Sequence, residues 1–531
     1  MPTALVSVYD KSGVADFGAA LAERGWTLVS TGGTARELKT AGVDVVGVSD
    51  LTGFPEILEG RVKTLHPKVH AGLLARRSVA SDQQELEELG IAPIDLVAVN
   101  LYPFRETIAQ SSTTLAQALA QIDIGGPTML RAAAKNHDFV WPVCDPADYL
   151  AVIEAIDTGD EAGELRRHLA AKVFLHTANY DAAIAGYLDA QTRSSAEEEL
   201  PEEMLCSLVR VQELRYGENP DQAAAFYREA STNAWGIPGL RQLQGKELSY
   251  NNILDIDGAL GAAAPFLNGA AAACVIVKHT TPCGLAVGRT VTRAFTKARA
   301  CDPVSAFGST VVFNQPVTED AAEAMSDLFI ECLVAPGYSD DALRLLQKKK
   351  NLRVLVPGEG TELGERRGHL GMGVEFRGVT GGVLLQTPAG PVELDGFREA
   401  PGVTVPTDRQ PGDDDWADIA FAWAAAQGVK SNAIVLATAG ATIGMGAGQM
   451  SRVDSVKLAV RKARDAELEV AGSILSSDAF FPFRDGIDAA AAAGVQTVVQ
   501  PGGSIRDEEV VAAANEHGMT MVLTGRRLFR H

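Results

Sequence analysis

A turn near the start of the chain has the composition of a phosphate-binding loop. Residues 28–34, Leu-Val-Ser-Thr-Gly-Gly-Thr, run from an apolar strand through a glycine pair towards a predicted helix. Backbone N–H groups and a helix N-terminus at such a turn attract an anion. Ser7 and Lys11 end the preceding strand and can face the same pocket, since ligands of wound sheets bind beyond the carboxyl ends of strands. An ordinary tight turn with Thr34 as the helix N-cap explains the motif equally well.

Two cations follow the glycine turn along the chain. Arg61 and Lys63 stand two residues apart, and Thr64 adds a hydroxyl group. In an extended segment this spacing directs both side chains to one side. The pair predicts a clamp for an anionic substrate, although the spacing by itself favours two solvated surface cations.

Further polar side chains in this region indicate proton-transfer chemistry. Asn100 and Tyr102 close an apolar strand, and Asp123 precedes a glycine pair that opens a predicted helix. Arg131 and Lys135 stand four residues apart on one face of that helix. A carboxylate, two lysines and a phenol around a phosphate pocket can move protons and stabilise an oxyanion.

In the second half of the chain, Lys278 and His279 follow the apolar strand 273–277. A histidine at a strand end beside a lysine suits a general base with a cationic partner, because histidine titrates near neutral pH. Judged alone, His279 fits a hydrogen-bonded structural histidine better. The neighbouring Pro282–Cys283 pair does not indicate a zinc deaminase, because no second cysteine follows two residues later and no H-x-E motif is present.

Six further segments are dense in polar and glycine residues. Loops of this composition can hold a phosphoribosyl ligand and a flat heterocycle, with Phe480 or Phe481 stacking on the ring. Each segment alone also fits ordinary turn chemistry. The segments are residues 214–220, 245–252, 301–308, 430–432, 446–452 and 477–485.

Alternating apolar runs and helical segments must position these groups. Before residue 190 the alternation predicts a doubly wound parallel sheet, and an α/β pattern recurs in the rest of the chain. The length of 531 residues exceeds the roughly 250–300 at which single cores stop growing. The predicted boundaries are a first domain at 1–195, a charged linker at 196–204 and a second domain at 205–531, with lobes of about 205–370 and 371–531.

Composition and charge restrict the class of partner. The chain has 47 basic and 68 acidic residues, a net charge of −21, which predicts repulsion of nucleic acid and anionic membranes. Its six cysteines are scattered, so neither a zinc knuckle nor a disulfide framework is expected. The N-terminus lacks a basic segment followed by an apolar run. We therefore expect a soluble protein of the reducing cytoplasm.

Taken together, the motifs closely resemble the bifunctional purine biosynthesis family that joins a formyltransferase for 5-aminoimidazole-4-carboxamide ribonucleotide (AICAR) to IMP cyclohydrolase. The resemblance spans the chain from Ser7 to the terminal R-L-F-x-H. The motifs, in order, are G-R-V-K-T-L-H-P, I-D-I-G-G, L-R-A-A-A-K-N-H, R-Y-G-E-N-P, S-Y-N-N-I-L-D, K-H-x-x-P-C-G and S-D-A-F-F-P-F-R-D.

The resemblance implies a methylglyoxal-synthase-like cyclohydrolase domain and a transferase domain of two lobes similar to the cytidine-deaminase-like fold. The implied function is the last two steps of de novo IMP synthesis, by a transferase and hydrolase in one chain. Formyl transfer from 10-formyltetrahydrofolate to AICAR is followed by dehydrating ring closure to IMP. Two alternatives stay open from the residues: a nucleotide-binding regulatory protein, and an enzyme with one active half.

The resemblance also assigns a cyclohydrolase site. Its chemistry would belong to Lys63, Tyr102, Asp123 and Lys135. Its substrate-binding residues would be Ser7, Lys11, Ser30, Thr31, Gly32, Gly33, Thr34, Arg61, Thr64 and Asn100.

For the transferase site, the resemblance implies Lys278, His279 and Asn432 as catalytic residues. AICAR and the folate would contact Arg215, Tyr216, Arg452, Phe480, Asp485 and Arg527. The implied assembly is a homodimer with shared transferase sites. No catalytic metal is expected, and the family allows a bound structural potassium ion. Four residues depart from the family's usual choices: Tyr9, Asp221, Thr281 and Ser309.

Overall fold

A computed structural model of the chain describes residues 1–110, 112–158, 162–192, 200, 202–230, 235–363 and 373–531. The backbone divides into two compact units, which are Met1–Ser207 with Ala230–Thr232, and Leu208–Glu229 with Asn233–His531. Most of the predicted linker 196–204, and the predicted lobe boundary at 370, lie outside the described residues.

The described residues of unit 1 include five short strands. They are β1 (Thr3–Val6), β2 (Thr27–Ser30), β3 (Val45–Gly47), β4 (Leu96–Ala98) and β5 (Trp141–Val143). Its helices are α1 (Val14–Glu23), α2 (Gly32–Thr40), α3 (Val48–Thr52), α4 (Pro67–Leu74), α5 (Ala80–Glu88), α6 (Phe104–Ile108), α7 (Leu115–Ala120), α8 (Gly125–Lys135), α9 (Tyr149–Thr158) and α10 (Ala162–Thr192).

The five strands form one parallel sheet in the order β3-β2-β1-β4-β5. Alternate residues of β1 face opposite layers, because successive side chains of a strand point to opposite faces. Leu5 packs in the core with α4, α8 and α10, whereas Ala4 and Val6 pack with α1, α2 and α9. The predicted doubly wound parallel sheet is confirmed. Its order reverses between β1 and β4, where wound sheets bind ligands.

Unit 2 is built on a larger set of strands. They are β6 (Leu208–Leu214), β7 (Ala224–Glu229), β8 (Leu240–Gln244), β9 (Ala272–Lys278), β10 (Thr281–Gly288), β11 (Ser309–Phe313), β12 (Ile330–Val334), β13 (Arg353–Pro357), β14 (Glu375–Val379), β15 (Gly382–Gln386), β16 (Ile434–Thr438), β17 (Ala441–Gly446), β18 (Ile474–Ser477), β19 (Thr497–Gln500) and β20 (Thr520–Leu523). Its helices are α11 (Tyr250–Ala263), α12 (Val291–Cys301), α13 (Glu319–Ala324), α14 (Asp340–Leu346), α15 (Asp415–Gln427), α16 (Arg452–Asp465), α17 (Asp485–Ala493) and α18 (Asp507–Glu516).

Eleven strands of unit 2 share one mixed sheet, in the order β20-β19-β18-β16-β17-β10-β9-β11-β12-β13-β8. Each half of this sheet has the same succession of a helix, an antiparallel hairpin, a helix and three parallel strands joined by helices. The first half begins at α11 and the second at α15. The α/β character predicted for this region is confirmed, and the order of elements reveals a repeat that the sequence does not display. Two ribbons, β6–β7 and β14–β15, pair separately from this sheet.

In both halves the helix after the hairpin lies directly on a glycine of the hairpin. A Cβ atom added at Gly284 of β10 would overlap the carbonyl oxygen of Ala298 in α12. A Cβ added at Gly444 of β17 would overlap the carbonyl oxygen of Ala459 in α16. Helix and sheet backbones therefore approach more closely than any other residue type permits.

We expect Gly444→Ala to destabilise unit 2, because the added methyl group meets backbone that cannot rotate away. The expected loss is about 1–3 kcal/mol, the usual range for overpacking. Gly378→Ala on the exposed strand β14 is the matched control, since its new Cβ meets no atom within 4 Å. Urea denaturation measures both variants, and equal midpoints would contradict the close approach.

Candidate functional site

Polar residues of unit 1 converge where the strand order of its sheet reverses. Ser7, just after β1, has its Oγ 3.1 Å from Oγ1 of Thr31, just after β2. Asn100, just after β4, accepts hydrogen bonds at Oδ1 from the N–H groups of Tyr9 at 2.6 Å and Asp10 at 2.9 Å. Its Nδ2 donates to the carbonyl oxygen of Asp10 at 2.8 Å. The three strand ends therefore form one connected loop cluster.

The N-terminus of α2 opens into this cluster. Thr31 is the N-cap, and its side chain makes no capping hydrogen bond. Thr34, the alternative N-cap considered from the sequence, lies inside the helix, where its hydroxyl donates to Val8 O at 2.9 Å. Ser30 is buried, with its hydroxyl donating to Val6 O at 2.6 Å. Thr34 thus ties the first turn of α2 to the segment that follows β1, and the N–H groups of such a helix N-terminus suit an anion.

Lys11 adds a positive charge beside the same helix terminus. Its Nζ donates to the carbonyl oxygens of Val8 at 3.1 Å and Tyr9 at 3.2 Å. A Cβ added at Gly33 would lie 3.6 Å from that Nζ. Ammonium group and helix terminus therefore act on the same space, which suits a phosphate.

A second cluster in unit 1 surrounds Asp123 at the start of α8. Its carboxylate accepts the N–H of Gly126 at 3.0 Å, and its own N–H donates to the Tyr180 hydroxyl at 2.8 Å. Burial raises the pKa of Asp123, opposed by the Gly126 N–H and the charge of Lys63. Burial also raises the pKa of Tyr102, and the negative charge of Asp123 adds to that rise. Lys63, Tyr102 and Asp123 therefore form one electrostatic group, with Tyr102 a neutral hydrogen-bond donor at physiological pH.

Arg61 has a helical and not an extended backbone, which corrects the expectation that the segment with the two cations is extended. Leu58, Glu59 and Gly60 have φ values of 53°, 57° and 82°, and Arg61 has helical angles. This tight turn leaves Arg61 exposed and Lys63 half-buried. Thr64 is buried, and a Cβ added at Gly125 would lie 2.7 Å from its Oγ1.

Lys135 lies at the opposite end of α8 from Asp123. It is the last residue of α8, which begins two residues after Asp123. At 1.5 Å per residue the ends of this 11-residue helix lie about 15 Å apart. Lys135 and Arg131 are both exposed.

In unit 2, Lys278 is the last residue of β9, and His279 is the first residue of the two-residue turn between β9 and β10. The Nζ of Lys278 donates to Phe307 O at 2.8 Å. Both residues line a cavity with Asp302 and Lys462, which form an ion pair. Burial raises the pKa of Asp302, but hydrogen bonds from Lys462 and Ser305 outweigh it, so the net shift is downward. Cys283 and Cys301 also line this cavity, and burial raises the pKa of each thiol to about 12, which keeps both neutral.

Asn432, Arg452 and Asp478 form a buried network close to the end of β17. Arg452 Nη2 donates to Asn432 Oδ1 at 2.6 Å, and Nη1 donates to Asp478 Oδ1 at 2.6 Å and to Ser477 Oγ at 2.7 Å. The amide Nδ2 of Asn432 donates to Gln449 O at 2.8 Å. These bonds fix both the position and the amide orientation of Asn432.

Arg530 connects this network to the histidine turn. Its Nη1 donates to Thr280 O at 3.2 Å and to Gly428 O at 2.6 Å, and its carbonyl oxygen accepts the N–H of Ser431 at 2.9 Å. The antiparallel pairing of β10 with β17 has the same effect, because it sets the start of β10 beside the end of β17. Met445 and Ala447 consequently line the cavity with Lys278 and His279.

The other predicted transferase residues have local contacts. The guanidinium of Arg215 lies 5.7 Å from the ring centroid of Tyr216, and that of Arg527 lies 4.3 Å from Phe529. Phe480 is 38% exposed, and Asp485 begins α17. None of these contacts involves Lys278 or His279.

Sequence reasoning missed several supporting residues, including Tyr180, Asp478 and Arg530. Asp478 lies in a segment already singled out as polar, and Arg530 lies in the terminal motif. Tyr180 stands in the middle of a long helix with no local signal. Of the four departures, Tyr9 has a visible effect, because its ring packs edge-on against Tyr102 with centroids 5.9 Å apart.

Two family models match the chain. An MGS-like domain matches residues 13–128, which covers most of the parallel sheet of unit 1. The AICARFT/IMPCHase bienzyme family matches residues 133–462, more than half of the chain, and the chain belongs to that family. It is therefore an enzyme of the last two steps of IMP biosynthesis, with AICAR formyltransferase and IMP cyclohydrolase activities. Its substrates are AICAR, a formyl-folate cosubstrate and the formylated nucleotide that closes to IMP.

A solved structure titled "Crystal structure of ForH" is 39% identical in sequence, over 36% of this chain and 100% of that chain. The TM-score is 0.34, too low to support any statement on shared architecture. Among the described residues, no helix is both long and apolar enough to cross a membrane.

We expect Arg452→Met to destabilise unit 2 by about 3–5 kcal/mol, because it leaves the fully buried carboxylate of Asp478 without its cation. The control is Arg484→Met, which removes an arginine from exposed pairs with Asp488 and Glu516 and should change stability little. Thermal unfolding of both variants measures the difference. Equal shifts would contradict the buried network.

Proposed function

We propose that the two reactions occur in separate units. Unit 1, predicted as a domain at 1–195, would carry the cyclohydrolase, and unit 2, predicted at 205–531, the formyltransferase. One observation carries this assignment: the polar residues of unit 1 and those around His279 in unit 2 share no strand or helix. Ser7, Thr31 and Asn100 follow strands of the parallel sheet of unit 1, whereas Lys278 and His279 belong to a hairpin of the mixed sheet of unit 2.

In unit 1 the nucleotide phosphate would bind at the N-terminus of α2, with Ser7, Lys11 and the 30–34 turn around it. Ring closure joins the carboxamide nitrogen to the formyl carbon. The formyl oxygen leaves as water, with one proton from that nitrogen and one from the formamide nitrogen. Both reacting groups belong to one molecule, so orientation supplies much of the rate.

Three side chains of the Asp123 cluster would assist the closure. Lys63 and neutral Tyr102 stabilise charge on the formyl oxygen, and Asp123 moves protons. The raised pKa of Asp123 supports this role, because proton transfer is most efficient when the pKa of the group approaches the working pH. Lys135 stays a prediction of the resemblance, and Arg61 and Thr64 stay predicted substrate contacts.

In unit 2 the 5-amino nitrogen of AICAR attacks the formyl carbon of the folate. The new N–C bond forms, the bond to N10 of the folate breaks, and the amine proton is passed through His279 to N10. Lys278 would stabilise the tetrahedral oxyanion, and Asn432 would orient the formyl oxygen. The hydrogen bonds of Asn432 to Arg452 and Gln449 support this, since an amide held on both sides cannot rotate.

We also propose a homodimer with shared transferase sites. Arg215 and Tyr216 directly follow β6, whose residues Leu208, Val209 and Val211 are 42–46% exposed. An apolar strand with this exposure suits contact with a second copy of the chain. The dimer would bring Arg215, Tyr216 and Arg527 of one subunit to His279 of the other, with Phe480 and Asp485 near the folate.

The potassium ion allowed by the resemblance stays a proposal without assigned ligands. No group of three or more His, Cys, Asp or Glu side chains in the described part of the chain is arranged to hold a metal ion. No step above depends on a metal. A cytoplasmic location is also a proposal, supported by the six cysteines, all within the described residues, none of which is in a disulfide.

We expect His279→Ala to lower formyl transfer about 10²–10⁴-fold, the usual range for a removed general base, and to leave ring closure intact. Lys63→Ala should have the opposite selectivity. Conversion of AICAR with 10-formyltetrahydrofolate, and of formylated AICAR alone, measures the two activities separately. If either variant loses both activities while folded, the assignment to separate units is wrong.

Mixing two inactive variants tests the shared site. If Arg215 and His279 act across the dimer, Arg215→Ala and His279→Ala subunits that exchange freely should recover about a quarter of wild-type formyl transfer, because half of the dimers then carry one intact site. No recovery after proven exchange would place both residues in the site of one subunit. Sedimentation that finds only active monomers would reject the dimer itself.

A further inference from the structure

The hairpin that carries His279 has a counterpart in the other half of the sheet. The turn between β9 and β10 consists of His279 and Thr280, and the turn between β16 and β17 consists of Ala439 and Gly440. All four residues have positive φ values, of 52°, 61°, 49° and 67° in that order. Two-residue hairpin loops with this conformation match the twist of the flanking strands. The two halves therefore use the same turn, and the first places a histidine in it.

In both halves a carboxylate of the preceding helix holds the turn. Asp418 of α15 accepts the N–H groups of Ala439 at 2.6 Å and Gly440 at 2.8 Å. Asp255 of α11 accepts the N–H of Thr280 at 2.7 Å. Because α11 and α15 hold equivalent places before the two hairpins, the contact is a repeated feature of the fold.

The first turn has more need of such a contact than the second. Positive φ is natural for Gly440 but unfavourable for His279, and more so for the β-branched Thr280. Three contacts fix the backbone of Thr280. Asp255 accepts a hydrogen bond from its N–H, and Arg530 donates one to its carbonyl oxygen at 3.2 Å. Helix α11 also packs against its backbone. A Cβ added at Gly258 of α11 would lie 2.9 Å from Thr280 Cα.

The conformation of this turn decides where the imidazole lies. His279 is exposed on the cavity side, and the Nζ of its neighbour Lys278 is fixed separately by Phe307 O. A shift in the peptide of Thr280 would move His279 relative to Lys278 without unfolding either strand. Displacements of about 1 Å in a catalytic group cost about 100-fold in rate.

We propose that Asp255 is a positioning residue for formyl transfer, whose carboxylate fixes the strained turn that presents His279. The inference rests on the proposed role of His279 as the base. Burial raises the pKa of Asp255, and the Thr280 N–H opposes that rise, as expected for a half-buried carboxylate with a structural hydrogen bond.

The test compares three variants of the full-length protein. Asp255→Ala should lower kcat for formyl transfer about 30–100-fold, with KM for AICAR and for the folate changed by about twofold at most, because position is lost and binding groups are not. Ring closure of formylated AICAR should be unchanged. Asp255→Asn keeps an oxygen that can accept the Thr280 N–H and should recover kcat to within about fivefold of wild type. If Asp255→Asn is as slow as Asp255→Ala, the hydrogen bond is not what Asp255 contributes and the proposal fails.

Asp418→Ala is the matched control, because it removes the equivalent carboxylate contact from the turn between β16 and β17, which contains no histidine. It should lower the thermal stability as Asp255→Ala does and leave kcat within about twofold of wild type. An equal loss of kcat in both variants would mean general loosening of unit 2 and would overturn the proposal. If Asp255→Ala does not fold, Thr280→Gly added to it supplies positive φ without strain, and that double variant is measured instead.

His279→Ala in the same assay separates the two proposals. If it keeps formyl transfer, the proposed function of His279 fails, whatever Asp255 does. If it abolishes formyl transfer while Asp255→Ala has wild-type kcat, only the positioning role fails.

Discussion

The antiparallel pairing of β10 with β17 is the interaction on which the rest of unit 2 depends. Ala286 faces Ala441, and the hydroxyl of Thr442 bonds both the N–H and the carbonyl oxygen of Leu285. Without the pairing of β10 with β17, each half of the sheet would have an exposed edge strand that must be covered in some other way. Because the strands run in opposite directions, the histidine turn of one half lies at the end of β17 in the other. The cluster around His279 therefore combines residues from distant parts of the sequence.

Unit 1 satisfies the same need for convergence with parallel strands. Its parallel strands all end at the same edge of the sheet. The loops after β1, β2 and β4 therefore meet without pairing between two separate halves of a sheet. Where the strand order reverses, the side chain of Asn100 connects the loops after β4 and β1 through hydrogen bonds to the backbone of residues 9 and 10. The proposed phosphate site of unit 1 thus needs only the strand ends of a wound sheet, whereas the proposed transferase site of unit 2 combines two similar halves of a mixed sheet.

Much of unit 1 could be predicted, because each of its five strands is a compact apolar run beside a helical segment. The structure of unit 2 was harder to predict from the sequence. The strand β10 contains Pro282, Gly284 and Gly288, which argue against a central strand. The strand forms because β9 and β17 pair with it on its two sides and because α12 packs closely on Gly284. The local conformation at Arg61 was wrong in the prediction, since Leu58 and Glu59 give no signal for positive φ. Contacts such as Thr280 with Arg530 join residues too far apart for any sequence pattern to reveal.

The charges of the two clusters explain how so acidic a chain attracts anionic substrates. A cation paired with a carboxylate forms a neutral unit, as Arg452 does with Asp478 and Lys462 with Asp302. The described hydrogen bonds of Lys278 and Lys11 go instead to backbone carbonyl oxygens, which position the ammonium group and leave its charge whole. In a low-dielectric pocket an uncompensated charge acts far more strongly than at the surface. The ion pairs of unit 2 thus hold the architecture, and in the proposed function the carbonyl-bound lysines would supply the field for phosphate and oxyanion.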